Sequence, residues 1–171
     1  MNGASKEIIY LDANILLDWV GRAVARPGVA GIIQVILDDK IVAITSAISR
    51  LEVLECKNDP HMWKAWQAFR AGKNVQVLAV TSKVIDIAHE IRNHYAALRL
   101  ADEKQKRTCT PPDAIHVATA IYANCNRMLT FDRGDKDKNK IVSPLDMDGR
   151  VAGKWPLNIT EPDPNLQALD V

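Results

Sequence analysis

An α/β fold with a mostly parallel sheet is what the sequence predicts, and three observations predict it. Short apolar runs alternate with longer stretches of helical periodicity, as serial βα units do. The first run, Ile8-Ile9-Tyr10-Leu11, reads as a buried strand. Strong helix starts, Asp59-Pro60 and Thr110-Pro111-Pro112-Asp113, punctuate the later part of the chain.

Taken in order, the first strand ends at Asp12, and Ile15, Leu16, Trp19 and Val20 follow at helical spacing up to Gly21. After Pro27-Gly28, the residues Ile32, Ile33, Val35, Ile36 and Leu37 make a second helix, and Ile41 to Ile44 a second strand. Thr45 and Ser46 offer caps for a helix carrying Ile48, Leu51, Glu52 and Leu54. From Asp59-Pro60, a helix places Met62, Trp63, Trp66 and Phe69 on one side, a stripe read as core because large apolar side chains gain most by burial. Val75 to Leu78 is a strand, and Ser82 to about Leu100 is a long helix, followed by a basic stretch to Arg107. Thr110 opens a helix buried along Ala114, Val117, Ala118 and Ile121. Arg127 to Phe131 is a strand ending at Asp132, and a charged loop leads to a short strand at Ile141-Val142. Beyond Pro144 the periodicity dissolves into Gly, Pro and Asp. The expected organisation is therefore one domain over residues 1–150 and an extended arm or disordered tail over 151–171.

Composition narrows the function classes. The chain of 171 residues is 47% hydrophobic and 25% charged with net charge +1, so contact with nucleic acid would need local Lys and Arg clusters. The three cysteines show no zinc spacing, and an odd count suits a reducing compartment. The first apolar run is interrupted by Asp12 and Asn14, too short and too polar for a signal or a span, so a cytoplasmic protein without membrane contact is expected.

Ligands of parallel sheets sit at the carboxyl ends of the strands. Asp12 and Asp132 directly follow strands, Glu52 lies just after the second strand, and Asp113 sits in the first turn of the helix before the last long one. Each has an ordinary explanation: Asp12 as a helix cap, Glu52 in a capping box with Ser49, Asp113 at capping-box spacing from Thr110, Asp132 in a turn. His116, one turn from Asp113, reads as a packed or hydrogen-bonded core residue. Together, however, carboxylates crowded at one sheet edge raise each other's pKa unless a cation neutralises them. Oxygen donors without a matching His or Cys cluster suit Mg2+ or Mn2+.

These residues carry a resemblance. Tyr10-Leu-Asp-Ala-Asn-Ile-Leu-Leu17 resembles the opening motif of PIN domains, and Ser46-Ala-Ile-Ser-Arg-Leu-Glu52 is similar to the second motif. Asp113-Ala-Ile-His-Val-Ala-Thr-Ala120 resembles the third and Leu129-Thr-Phe-Asp132 the fourth, so the likeness covers about residues 7 to 143. It implies a three-layer α/β/α fold with about five strands and a metal-dependent ribonuclease acting on single-stranded RNA. Asp12, Glu52, Asp113 and Asp132 carry over as the metal-binding and catalytic acids. Asn14 and Thr130 carry over as supports that orient them, with Asp135 a spare acid beside the fourth motif. Many compact members are toxins of VapBC toxin–antitoxin pairs, so an antitoxin protein and a homodimer are the partners implied.

For RNA contact the candidates are Arg50, Lys104, Lys106, Arg107, Arg133, Lys136 and Lys138; the last three alternate with acids, a pattern equally expected of a solvated loop. Two other readings stay open. A PIN-like scaffold or partner-binding protein would keep the fold without the metal. A phosphatase of the haloacid-dehalogenase type also opens on a strand ending in Asp, but wants a second Asp where this chain has Asn14.

Overall fold

The computed structural model describes residues 6–21, 25–54, 59–102, 108–134 and 141–166. Its strands are β1 (Ile8–Leu11), β2 (Val42–Ser46), β3 (Val75–Leu78), β4 (Arg127–Leu129) and β5 (Asn158–Thr160). They form one five-stranded sheet in the order β3-β2-β1-β4-β5, every neighbouring pair parallel. The helices are α1 (Ala13–Gly21), α2 (Val29–Leu37), α3 (Ser49–Val53), α4 (Pro60–Arg70), α5 (Ser82–Ala101) and α6 (Pro111–Tyr122). Among the described residues, no helix is long and apolar enough to cross a membrane.

The strand alternation makes the layers. Ile9 and Leu11 point into a core shared with Ile15 and Leu16 of α1, Ile32 and Ile33 of α2, and Trp66 and Phe69 of α4. Tyr10, between them, points the other way with Ile44 and Met128, into a second core filled by Val84, Ala88 and Ile91 of α5 and by Ala114, Val117 and Ala118 of α6. The fold is thus α/β/α, a sheet covered on both faces, which is why the central strand β1 carries apolar side chains to both sides. Helix starts follow the side chains that mark them. Asp59 accepts a hydrogen bond from the His61 amide at 2.8 Å, with Pro60 at the first helical position, and Thr81 and Thr110 cap α5 and α6.

The structure departs from the sequence expectations in several places. β2 continues through Thr45 and Ser46, which are fully buried strand residues and not caps; Thr45 Oγ1 donates to the Leu11 carbonyl at 2.9 Å, a bond that needs it inside the sheet. Met62, Trp66 and Phe69 share a narrow helical stripe, but Trp63 lies about 100° round the helix from Met62 and is 41% exposed. β4 stops at Leu129, before Phe131, because side chains replace the ladder there: the Phe131 amide donates to Asn14 Oδ1 at 3.0 Å and the Asp132 amide to Thr130 Oγ1 at 3.0 Å.

The last stretch differs most. Ile141-Val142 is not one of the sheet's five strands, although Val142 is buried. The fifth strand comes from Asn158–Thr160, inside the segment expected to be an arm or tail, and Val151, Leu157 and Ile159 are buried with it. Only Ile159 of β5 faces inward, so three residues with one apolar side chain gave no periodicity to read.

Candidate active site

The sheet order defines a switch point. From β1 the chain moves outward through β2 and β3, then returns to the opposite side of β1 with β4 and β5. Loops leaving the carboxyl ends of β1 and β4 therefore diverge and leave a crevice, where ligands of open α/β sheets bind. Asp12 follows β1 and Asp132 lies three residues beyond β4.

Asp12 is the most buried of the four candidate acids, 6% exposed. Its Oδ1 accepts from the Ala13 amide at 2.7 Å; its Oδ2 accepts from Asn14 Nδ2 at 2.7 Å and Thr130 Oγ1 at 2.6 Å. Asn14 Nδ2 also donates to Thr130 Oγ1 at 2.9 Å, so Asp12, Asn14 and Thr130 form a closed triangle joining the ends of β1 and β4. Burial pushes the Asp12 pKa up, against the opposing pull of His116 and the Thr130 and Ala13 hydrogen bonds; Glu52 pushes it further up.

Glu52 reaches the same crevice from α3. It does not close a capping box with Ser49; its Oε2 meets His116 Nε2 at 2.6 Å. His116 Nε2 also stands 3.7 Å from Asp12 Oδ1, while Nδ1 meets the Tyr10 hydroxyl at 2.6 Å. That hydroxyl accepts from the Ser46 amide at 3.1 Å. A carboxylate only accepts, so Nε2 carries a proton toward Glu52. Burial works against the imidazolium, but the Glu52 hydrogen bond and then the charges of Asp12, Glu52 and Asp113 more than offset it, so the His116 pKa stands above the ordinary value.

Asp113 enters from the first turn of α6. Its amide donates to Thr110 Oγ1 at 3.3 Å, and the Thr110 hydroxyl donates to Asp113 Oδ2 at 2.5 Å, so the capping role is real and coexists with the acidic cluster. Burial raises its pKa to about 6; the Thr110 hydrogen bond opposes that rise, and the charges of Asp132 and Asp12 add to it. Asp132 shapes its turn as well, accepting from the Gly134 amide at 2.7 Å.

The four acids are thus electrostatic neighbours. The donor set suits a small hard cation: it is built of oxygens, and two of its members ionise against burial and against neighbouring acids, Asp12 against Glu52 and Asp113 against Asp132 and Asp12. As the side chains are placed, no three Asp, Glu, His or Cys residues among the described ones converge closely enough to enclose a metal ion. Asp12 is turned toward Asn14 and Thr130, and Glu52 toward His116.

Of the residues expected to contact RNA, Arg50 lies exposed with its guanidinium 5.3 Å from the Trp63 ring, and Arg133 is paired with Glu161. Lys104, Lys106, Arg107, Lys136, Lys138 and the spare acid Asp135 lie outside the described residues. Sequence reasoning missed Tyr10 and gave His116 no part in the site. A signal existed for both: a lone Tyr in an aliphatic buried strand must find a partner for its hydroxyl, and His116 shares a helix face with Asp113.

Comparison with known proteins bears on the family and the fold. The family model described as the PIN domain matches residues 9–140. A chain of the VapBC2 complex from Rickettsia felis, bound to a DNA fragment from their promoter, is similar in fold at a TM-score of 0.54 and 14% identity, over 73% of this chain and 88% of that one. A toxin–antitoxin complex from Klebsiella pneumoniae aligns at a TM-score of 0.47 and 19% identity, over 80% of this chain and 97% of that one. Comparison with curated protein sequences gives no match.

Proposed function

The chain belongs to the PIN-domain family, and from that premise we propose that it is a Mg2+- or Mn2+-dependent endoribonuclease hydrolysing single-stranded RNA in the cytoplasm, the toxin of a toxin–antitoxin pair. One observation carries the reading: a buried carboxylate, Asp12, at the switch point of a parallel sheet, electrostatically coupled to Glu52 and Asp113, with Asp113 coupled in turn to Asp132.

Asp12 and Asp113 would hold the cation, with Glu52 and Asp132 joining them directly or through water. A bound divalent cation supplies Lewis acidity, making a water nucleophilic at neutral pH and neutralising charge that builds on the phosphate. The chain's own residues do the rest. Asn14 and Thr130 hold the Asp12 carboxylate in place through its Oδ2. Glu52, one-third exposed and bonded to a protonated His116 nitrogen, is the acid best placed to exchange a proton with an attacking water. Tyr10 fixes the ring orientation of His116 from the core side.

The Rickettsia felis relative is a VapBC complex, and the same pairing is proposed here. The partner's seat would be the groove of about 1070 Å3 between α3 and α4. Leu51 and Trp63 are exposed there, Arg50 and Arg70 outnumber Asp59 among its charged lining residues, and the buried Trp66 Nε1 has no hydrogen-bond partner among the described residues. An amphipathic partner segment carrying an acidic group would match the exposed apolar side chains and the basic rim. Leu51→Asp should then weaken antitoxin binding; if it instead splits a homodimer, the groove belongs to a second copy.

Sequencing RNA fragment ends after expression of the wild-type and Asp12→Asn chains tests the activity. New ends at a defined set of sites with the wild type alone are expected. Equal patterns from both would rule the reading out.

A further inference from the structure

The segment after β5 lies outside the residues matched by the family model, yet it touches the loop that carries Asp132. The Thr130 amide donates to the Thr160 carbonyl at 3.0 Å, and the next residue, Glu161, pairs with Arg133 at 2.5 Å. The chain then crosses the start of α2. A Cβ on Gly28 would overlap the Asp163 carbonyl oxygen, and one on Gly31 would overlap that of Leu166. Gly28 also needs its freedom for a φ of +84°, but Gly31 sits inside a regular helix, where glycine is a poor choice unless another backbone must come close. A turn from Asp163 to Leu166, closed by the Leu166 amide on the Asp163 carbonyl at 3.0 Å, presses Leu166 onto the α1/α2 core.

The same corner is tied from the other side. Arg26, just before α2, stacks its guanidinium 3.5 Å from the centre of the Phe131 ring and bonds the buried Asp18 through Nε at 2.7 Å. The Glu161 carboxylate is held low first by its bond to Arg133 and also by the charge of Arg26. Residues 131–133 are therefore gripped between the end of β5 and the start of α2, with Asp132 in the middle.

We propose that residues 161–166 are a strap that positions Asp132: Glu161 acts through Arg133 on the loop, and the strap is seated on α2 through Gly28 and Gly31. The importance of Asp132 rests on the nuclease reading, whereas the strap's grip on the loop does not. The test is therefore run without metal or RNA, on the full chain, by amide hydrogen exchange. The reporter is the Gly134 amide, which is bonded to the Asp132 carboxylate.

Gly31→Ala separates the possibilities by sign. In a helix interior free of neighbours, this change favours folding about fivefold. With the strap seated, the added methyl must displace it, so folding is disfavoured and Gly134 exchanges about tenfold faster. Leu166→Asp unseats the strap while leaving the sequence of α2 unchanged and should speed Gly134 alike, while the Ala43 amide in β2 keeps its wild-type rate. Glu161→Arg alone should speed Gly134 about threefold, in keeping with an exposed ion pair, and adding Arg133→Glu should restore the wild-type rate. A Gly31→Ala chain that gains stability with unchanged Gly134 exchange overturns the strap, and so does a charge swap that fails to restore the rate. Failure of the wild type to cleave RNA would count against the nuclease reading alone.

Discussion

Thr130→Val probes the triangle that holds Asp12. Thr130 is fully buried, and its hydroxyl donates to Asp12 Oδ2 at 2.6 Å while accepting from Asn14 Nδ2 at 2.9 Å and the Asp132 amide at 3.0 Å. Valine keeps the shape and removes that oxygen. The bond to an ionised acceptor is worth about 1.5–3 kcal/mol and the two neutral ones about 1 kcal/mol each, so after partial relaxation a loss of about 3 kcal/mol is expected at pH 7. The sign of its pH dependence follows from Asp12. Burial already raises that pKa, and losing the Thr130 donor raises it further, so the penalty falls on the ionised form. The penalty should be largest at pH 7 and shrink as the pH falls and Asp12 takes up its proton. Urea denaturation in EDTA at pH 7 and pH 4.5 measures both. A loss below about 1 kcal/mol at pH 7, or an equal loss at both pH values, would refute the view that Thr130 supports an ionised Asp12.

Other outcomes follow from the same geometry. Tyr10→Phe removes a buried hydroxyl shared by His116 Nδ1 and the Ser46 amide; it should cost about 1–3 kcal/mol in urea denaturation and lower the His116 pKa read by NMR, because the charged ring loses an acceptor. The pKa of Asp113, raised to about 6, means its proton competes with a cation below that pH. Mn2+ affinity measured by calorimetry should be about tenfold weaker at pH 5 than at pH 7, and a flat profile would contradict the assignment. In the metal-free chain the sign is the reverse of an ordinary salt-bridged Asp: the contribution of Asp113 to stability is fully present below its unfolded pKa and is lost as pH rises through about 6. RNA affinity should fall steeply with added salt, and Lys136→Ala or Lys138→Ala should flatten that slope by about one unit each; an unchanged slope removes them as phosphate contacts.

Much of this was legible in the sequence because local chemistry and global topology agree. The α4 and α6 starts are each marked by a residue whose role is local, Asp59 and Thr110, and the structure uses them so. The places of Asp12 and Asp132 at the carboxyl edge of the sheet were readable because they follow strands, and parallel strands end on one edge. What was hidden is non-local. That Glu52 bonds His116, 64 residues away, depends on where α3 and α6 cross the sheet, and no spacing rule contains it. Trp63 was assigned to the core as one of four residues on a single helix side, whereas about 100° of helix rotation from Met62 sets it at the rim of a groove. β5 was illegible because an edge strand with one inward side chain is specified by pairing with β4, not by its own pattern. Gly31 carries a message only once Leu166 is placed beside it.

The most direct measurement is cleavage of an end-labelled single-stranded RNA by the purified chain at pH 7, in EDTA and with Mn2+ restored, beside Asp12→Asn and Asp113→Asn proteins that melt like the wild type. The expected result is endonucleolytic cleavage by the wild type with Mn2+ only, reduced at least about a hundredfold in each variant, as loss of a metal-binding acid requires. Cleavage that persists in EDTA, or that survives Asp12→Asn undiminished, would contradict the assignment of this acidic cluster as the catalytic centre.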